Sequence, residues 1–150
     1  MPLAVRRIAH ATPDYDTMVA LRRAILRTPL GLDFTADQLT AEAGDVHLAA
    51  FAGDELIGTV VLTPYKEATF KLRQMAVADS HRGRAVGTQL LMAAEHTARG
   101  EGATRILLAA RVTARDFYAR HGYEVEGEAY IEVTLPHVTM SKVLKSSDAA

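Results

Sequence analysis

The sequence predicts an α/β (α+β) fold: one mixed β-sheet with helices on its faces. Three observations predict it. The chain has 150 residues, which is one domain's worth. Short apolar or alternating runs of strand length are interleaved with segments whose apolar residues recur at helical spacing. Their order is strand, helix, helix, hairpin, strand, helix, strand, helix, strand, strand, and this packs most economically as a sheet covered by helices. Apolar residues make up 49% and charged residues 23% of the chain, which excludes a disordered tail, a collagen-like fibre and a coiled coil.

Leu3 to Ile8 alternates and reads as the first strand. Thr12-Pro13 offers a capping hydroxyl and a proline at the first helical position. Met18, Leu21 and Ile25 then recur at helical spacing until Pro29 and Gly31. Thr35-Ala36-Asp37-Gln38 has capping-box spacing for a short second helix, closed by Gly44-Asp45. Val46 to Phe51 and Leu56 to Thr63 flank the turn Ala52-Gly53-Asp54-Glu55 and form a hairpin. Phe70 to Val77 is the next strand, with Phe70, Leu72 and Gln74 assigned to one face. Val86, Leu90, Leu91, Ala94 and Ala98 mark an amphipathic helix, stopped by Gly100 and Gly102. Arg105 to Ala110 has the apolar run of a buried strand. Thr113 to Arg120 is a helix ended by His121-Gly122. Tyr123 to Val133 and Val138 to Leu144 are the last two strands, around Pro136. One domain is expected over residues 1–145, with a frayed tail over 146–150.

Seventeen Lys and Arg face eighteen Asp and Glu, for a formal net charge of -1. A near-neutral chain has no global attraction to nucleic acid or an acidic membrane, so neither is an expected partner. The absence of cysteine removes disulfides, thiolate zinc sites and a cysteine nucleophile, and fits a reducing cytoplasm, the expected location. Arg6 and Arg7 precede any apolar run of signal-peptide length. The longest apolar stretch, Leu56 to Leu62, is too short to cross a bilayer. The six histidines have no metal-ligand spacing, and no metal is expected. Arg22, Arg23 and Arg27 read as a solvated face of the first helix.

The most informative segment is Met75 to Ala98, where a strand ends, a loop with Gly83 and Gly87 follows, and a helix begins at once. The first N–H groups of a helix lack internal partners and, with the macrodipole, form a site for an anion such as phosphate. Arg82 and Arg84 add positive charge beside it. The loop lacks both the Gly-Lys-Ser/Thr of a Walker A motif and the Gly-x-Gly-x-x-Gly of a dinucleotide site, so a plain strand-to-helix connection stands as the alternative. A second segment, Ala114 to Tyr123, carries adjacent Phe117 and Tyr118. Both suit a core, but neighbours on a helix diverge by about 100°, so one leans off it. A tyrosine on that side presents its hydroxyl to a cleft.

Together these segments resemble the GNAT superfamily of N-acyltransferases. Its signature Gln/Arg-x-x-Gly-x-Gly/Ala is matched by Arg82-Gly83-Arg84-Ala85-Val86-Gly87, with Ala85 in place of the middle glycine. Its later motif is matched by Ala114-Arg115-Asp116-Phe117-Tyr118-Ala119-Arg120-His121-Gly122-Tyr123, and its closing Pro-His-x-x-Met by Pro136 to Met140. The resemblance covers nearly the whole chain and leaves the substrate open.

The resemblance implies a mixed, mostly antiparallel sheet, with strands splayed to open a cleft, and an acetyl-CoA-dependent N-acetyltransferase. The amides of Gly83, Arg84, Ala85, Val86, Gly87 and Thr88 would hold the pyrophosphate of coenzyme A, with Arg82 adjacent. Met75, Ala76 and Val77 would lie along the pantetheine arm, one of their N–H groups donating to the thioester oxygen. Tyr118 stands where the family often has its general acid, the alternative being a positional role beside the sulfur. Glu132 and His137 are the nearer candidates for the base that deprotonates the amine, and Glu42 and His47 the more distant ones. For each, a structural role is the alternative. Arg111 stands where relatives carry Asn; it is read as solvated, with a contact to coenzyme A or to the acceptor as the alternative. The basic first helix, as a wall of the acceptor site, would suit an anionic acceptor. The expected acceptor is a small-molecule or peptide amine, and the chain a monomer or homodimer. A non-catalytic acyl-CoA sensor and a nucleotide-binding domain are the rival functions.

Overall fold

The computed structural model describes residues 3–83 and 85–145. Seven strands form one sheet: β1 (Leu3–Ile8), β2 (Val46–Ala52), β3 (Glu55–Pro64), β4 (Thr69–Val77), β5 (Arg105–Arg111), β6 (Glu124–Glu132) and β7 (Leu135–Val143). Their spatial order is β1-β2-β3-β4-β5-β7-β6. Every neighbouring pair is antiparallel except β4–β5. The mixed, mostly antiparallel sheet expected from sequence is therefore present. Residues 146–150 of the expected tail lie outside the described residues.

Among the described residues four α-helices flank the sheet: α1 (Pro13–Arg22), α2 (Ala36–Ala41), α3 (Val86–Gly100) and α4 (Arg115–Arg120). The Thr12 side chain caps α1 through the Tyr15 amide, and Thr35 with Gln38 forms the reciprocal capping box of α2. α3 buries Val86, Leu90, Leu91, Ala94 and Ala98 against one sheet face. α1 buries Tyr15, Met18 and Val19 with Ala49, Phe51 and Phe34 on the other. β2 sits between these layers. Val46, Leu48 and Ala50 join the α3 core while Ala49 and Phe51 join the α1 core, so this strand is buried on both faces and nearly all apolar, His47 excepted.

Several local expectations need correction. Pro136 lies inside β7, where it pairs with Ile131 of the edge strand; β5 joins β7 only from His137 onward. The proline's missing donor therefore costs no ladder bond to β5. The helix expected from Thr113 begins as a 3-10 turn over Val112–Ala114. Gln74 does not continue the face of Phe70 and Leu72. Its φ is +56°, and between Thr59 and Val61 of β3 the register slips so that β4 carries one extra residue. Thr59, fully buried, pins this bulge by donating to the Gln74 carbonyl at 3.0 Å.

The arginines of the first helix are not one solvated face. Arg22 is 0% exposed and grips Glu42 through two bonds of 2.8 and 2.6 Å. Tyr15 donates to the same carboxylate at 2.8 Å. Burial works against the Glu42 charge, but the Arg22 guanidinium and the Tyr15 hydroxyl prevail and hold its pKa below the ordinary range. Beyond Arg22 the helix widens into a π turn, Arg23–Arg27, which turns Arg27 away from the direction a plain α-helix would give it.

At Gly58 of β3 the side chains of α3 press directly on the sheet backbone. A Cβ there would lie 2.8 Å from Leu90 Cδ1 and 3.1 Å from Val86 Cγ1. Both neighbours are buried, so Gly58→Ala is expected to cost about 1–3 kcal/mol through overpacking, measured as a lowered midpoint in urea unfolding.

Candidate active site

The site begins with an interruption of the sheet. β4 and β5 pair only from Thr69↔Arg105 to Leu72↔Leu108. Beyond that, β4 stays with β3 as far as Val77, and β5 stays with β7 as far as Arg111. The Gln74 bulge diverts β4 just where its pairing with β5 ends. The result is a cleft of about 620 Å³ between the two strands. Its walls include Gln74 and Met75 of β4, Ala110 and Arg111 of β5, Phe117 and Tyr118 of α4, and Glu132 and His137 near the β6–β7 turn. The Gln74 side-chain oxygen is buried without a partner among the described residues.

Tyr118, Glu132 and His137, separated by up to nineteen positions in the chain, are thus brought to one cleft. Tyr118 is buried, with its ring edge-on to Phe117 and Tyr123, and its hydroxyl has no hydrogen-bond partner among the described residues. Burial alone pushes its phenol above the ordinary 10.0. The group is therefore fully protonated at neutral pH and can donate. Of the two adjacent aromatics it is Phe117, not Tyr118, that leans off the core; Tyr118 reaches the cleft from the core side. His137 is buried, with Nδ1 2.8 Å from the Leu135 carbonyl and its ring stacked on Tyr130. Glu132 is exposed at the end of β6.

Glu42 and His47 do not line the cleft. Glu42 is committed to Arg22, and His47 Nε2 bonds the Glu42 carbonyl at 2.9 Å. Burial, more than any neighbour, pushes the His47 pKa down. Arg111 is not merely solvated: it lines the cleft and donates to the Leu26 carbonyl at 3.1 Å.

A second cavity of about 380 Å³ lies at the start of α3. It is lined by Val77 and by Arg82, Gly83, Ala85, Val86, Gly87 and Thr88, all candidate cofactor contacts from the sequence. Arg84 lies outside the described residues. Ala76, between Met75 and Val77, is buried and lines neither cavity, and Arg82 is ion-paired with Asp79 at 3.1 Å. His81 and Arg120 join the lining without having been expected there. In contrast to α1 and α2, α3 has no side-chain cap. Ala85 takes a left-handed φ of +60° at its N-cap, and Gly83 one of +77° with open space where a Cβ would stand. The amides of Val86 and Gly87 have no acceptor among the described residues. A concave loop with free amides and no carboxylate in its lining fits a diphosphate. At Gly87 a Cβ would come within 3.3 Å of the Phe117 ring, which lines both cavities.

The model of the acetyltransferase (GNAT) family matches residues 15–123, most of the chain. The chain belongs to this family. It is 32% identical over 97 residues to the uncharacterized N-acetyltransferase YjcF of Bacillus subtilis, covering 64% of this chain and 69% of that one. It is 30% identical over 134 residues to the aminoalkylphosphonate N-acetyltransferase of Salmonella typhimurium, covering 81% and 87%. Among solved structures, an aminoglycoside 6'-N-acetyltransferase complexed with coenzyme A shares the fold at a TM-score of 0.79 and 18% identity, over 95% of this chain and 97% of that one. This GNAT domain is an acyltransferase. No helix among its described residues is long and apolar enough to cross a membrane, and no group of metal-ligating side chains is found among them.

Proposed function

We propose that this acyltransferase moves an acetyl group from acetyl-CoA to a primary amine by direct transfer in a ternary complex. The observation that carries the proposal is that the two cavities adjoin at a shared side chain. Phe117 lines both, so a ligand with a diphosphate at one end and a long arm can lie across them. Relatives with N-acetyltransferase names, one of them for an aminoalkylphosphonate, support the amine as acceptor.

Acetyl-CoA, when bound, supplies an activated acetyl thioester. The Val86 and Gly87 amides, with Gly83, Ala85 and Thr88, hold its diphosphate; Met75 and Val77 flank its arm. Past Leu72, the β4 edge facing β5 has no ladder partner. An N–H there is free to donate to the thioester oxygen as charge grows on it, and a fixed donor in a cleft stabilises that charge better than mobile water. Tyr118 gives its proton to the departing thiolate. The incoming amine, an ammonium with pKa about 10, must lose a proton before attack. Glu132 and His137, which line the same cleft, take it directly or through water. With no cysteine in the chain, no thiol is available to carry the acetyl group, which favours direct transfer.

The test is release of free coenzyme A from acetyl-CoA across a panel of primary amines. Amine-dependent release supports the proposal. Tight acetyl-CoA binding with no amine-dependent release across a broad panel would leave a non-catalytic acyl-CoA sensor. Gly87→Val is expected to weaken acetyl-CoA binding about tenfold, because its side chain displaces Phe117 from the junction of the cavities. Titration calorimetry reads this, and unchanged affinity would move the diphosphate elsewhere.

A further inference from the structure

We infer that the acceptor is an amine carrying a short-tethered anion, a phosphate-type group or a carboxylate, seated between Arg27 and Arg111. This deepens the acetyl-transfer reading and rests on it for the amine.

The charge on the cleft wall is lopsided. Arg27, Lys71, Arg73 and Arg111 line it, against the single carboxylate of Glu132, although the whole chain has slightly more acidic than basic residues. None of the four cations has a carboxylate within salt-bridge distance among the described residues, whereas seven other basic residues do. Two of the four converge. Arg27 Nη1 and Arg111 Nη2, eighty-four positions apart, both donate to the Leu26 carbonyl at 3.1 Å. The π turn Arg23–Arg27 ends at this point and carries both Leu26 and Arg27 to the cleft. The Arg27 guanidinium also lies over the Phe34 ring at 4.5 Å.

Like charges brought this close repel, and partial burial adds to the cost. Burial and the neighbouring Arg111, Arg22 and Arg73 push the Arg27 pKa down, and only Glu132 opposes them. Arg22 is neutralised by Glu42; Arg111 and Arg73 are not. Such an arrangement destabilises the empty fold and becomes favourable once an anion bridges the two guanidiniums, whose planar forks suit a phosphate or carboxylate. The diphosphate of coenzyme A is already provided for in the other cavity, which contains none of these four residues. Glu132, on the same wall, suits the ammonium end of the same molecule. Of Arg22 and Arg27 on the first helical segment only Arg27 lines this cleft, and Arg73 of β4 and Arg111 of β5 line it with Arg27.

The experiment compares phosphoethanolamine with ethanolamine, two amines of one chain length, as acceptors in the thiol-release assay, with β-alanine against propylamine as the carboxylate arm. The wild type is expected to favour the anionic member of at least one pair by about tenfold or more in kcat/KM. Arg27→Gln and Arg111→Gln are each expected to lower that ratio about tenfold. Equal kcat/KM within both pairs, with turnover intact, would overturn the anion seat and leave acetyl transfer standing. A raised KM for acetyl-CoA in the variants with the ratio unchanged would assign these cations to coenzyme phosphates and also overturn it. Binding is read separately, without acetyl-CoA. The favoured anionic amine should raise the melting temperature of the wild type and raise it less in either variant. That result in a protein that turns over no amine would keep the seat and discard the transfer; an equal shift in wild type and variants would refute the seat.

Discussion

Tyr118→Phe is expected to lower kcat for amine acetylation by about a hundredfold while acetyl-CoA affinity stays within about twofold. The reason lies in what the substitution removes. The ring is packed against Phe117 and Tyr123 in the core, and phenylalanine preserves that packing. The hydroxyl has no internal partner among the described residues, so its loss leaves no buried group stranded. What disappears is a proton held at the cleft by a phenol that burial keeps protonated. Because the phenol pKa is raised, a fall in rate caused by its deprotonation lies above pH 10, beyond the range where the amine first loses its proton. Between pH 7 and 9 the rate should therefore rise as the amine deprotonates, with the variant parallel to the wild type but lower. Stopped and steady-state kinetics across this range check both points. Equal turnover in the variant would remove Tyr118 from the acid role.

Glu42→Gln is expected to cost about 3–5 kcal/mol of stability and to lower the melting temperature by roughly 10 °C. The substitution keeps the shape of the side chain and leaves the fully buried Arg22 guanidinium uncompensated. It also removes the charged acceptor of the Tyr15 hydroxyl. Replacing both partners, as Arg22→Met with Glu42→Leu, should recover much of the loss. The pH dependence carries its own sign. The Glu42 pKa is lowered in the folded state, so its contribution is complete above the unfolded value of about 4.3 and fades as pH falls through the folded value. The wild type should lose stability over that acid range more steeply than Glu42→Gln. Thermal unfolding from pH 3 to pH 7 decides; a variant as stable as the wild type at pH 7 would mean the pair is not the anchor of this core.

The parts of the fold that the sequence revealed are those set by local pattern. The β2–β3 hairpin, the caps of α1 and α2 and the apolar stripe of α3 each lie within a short window, and each appears where the pattern places it. What local pattern missed depends on distant partners or a broken period. Arg22 looked like surface because its carboxylate is twenty residues away. Gln74 was assigned to a face by alternation, and a bulge with positive φ cancels alternation. Arg27 was grouped with Arg22 and Arg23 because a π turn leaves no mark on spacing alone. At the candidate site, Tyr118, Glu132 and His137 came from the family resemblance, and the cleft brings all three together. Arg73 carries no mark of an acceptor contact in the sequence, and for Arg111 that contact is only an alternative to solvation, since nothing in their neighbourhoods announces that two strands part between them.

In the proposed complex, main-chain donors at the head of α3 receive the coenzyme diphosphate. Amide hydrogen exchange with and without coenzyme A reads this directly. Slowed exchange is expected at Val86 and Gly87, together with Met75 on the cleft wall, and little change on β1 or the outer face of α3. Binding of coenzyme A with exchange at Val86 and Gly87 unaltered, and protection appearing in another part of the chain, would contradict it.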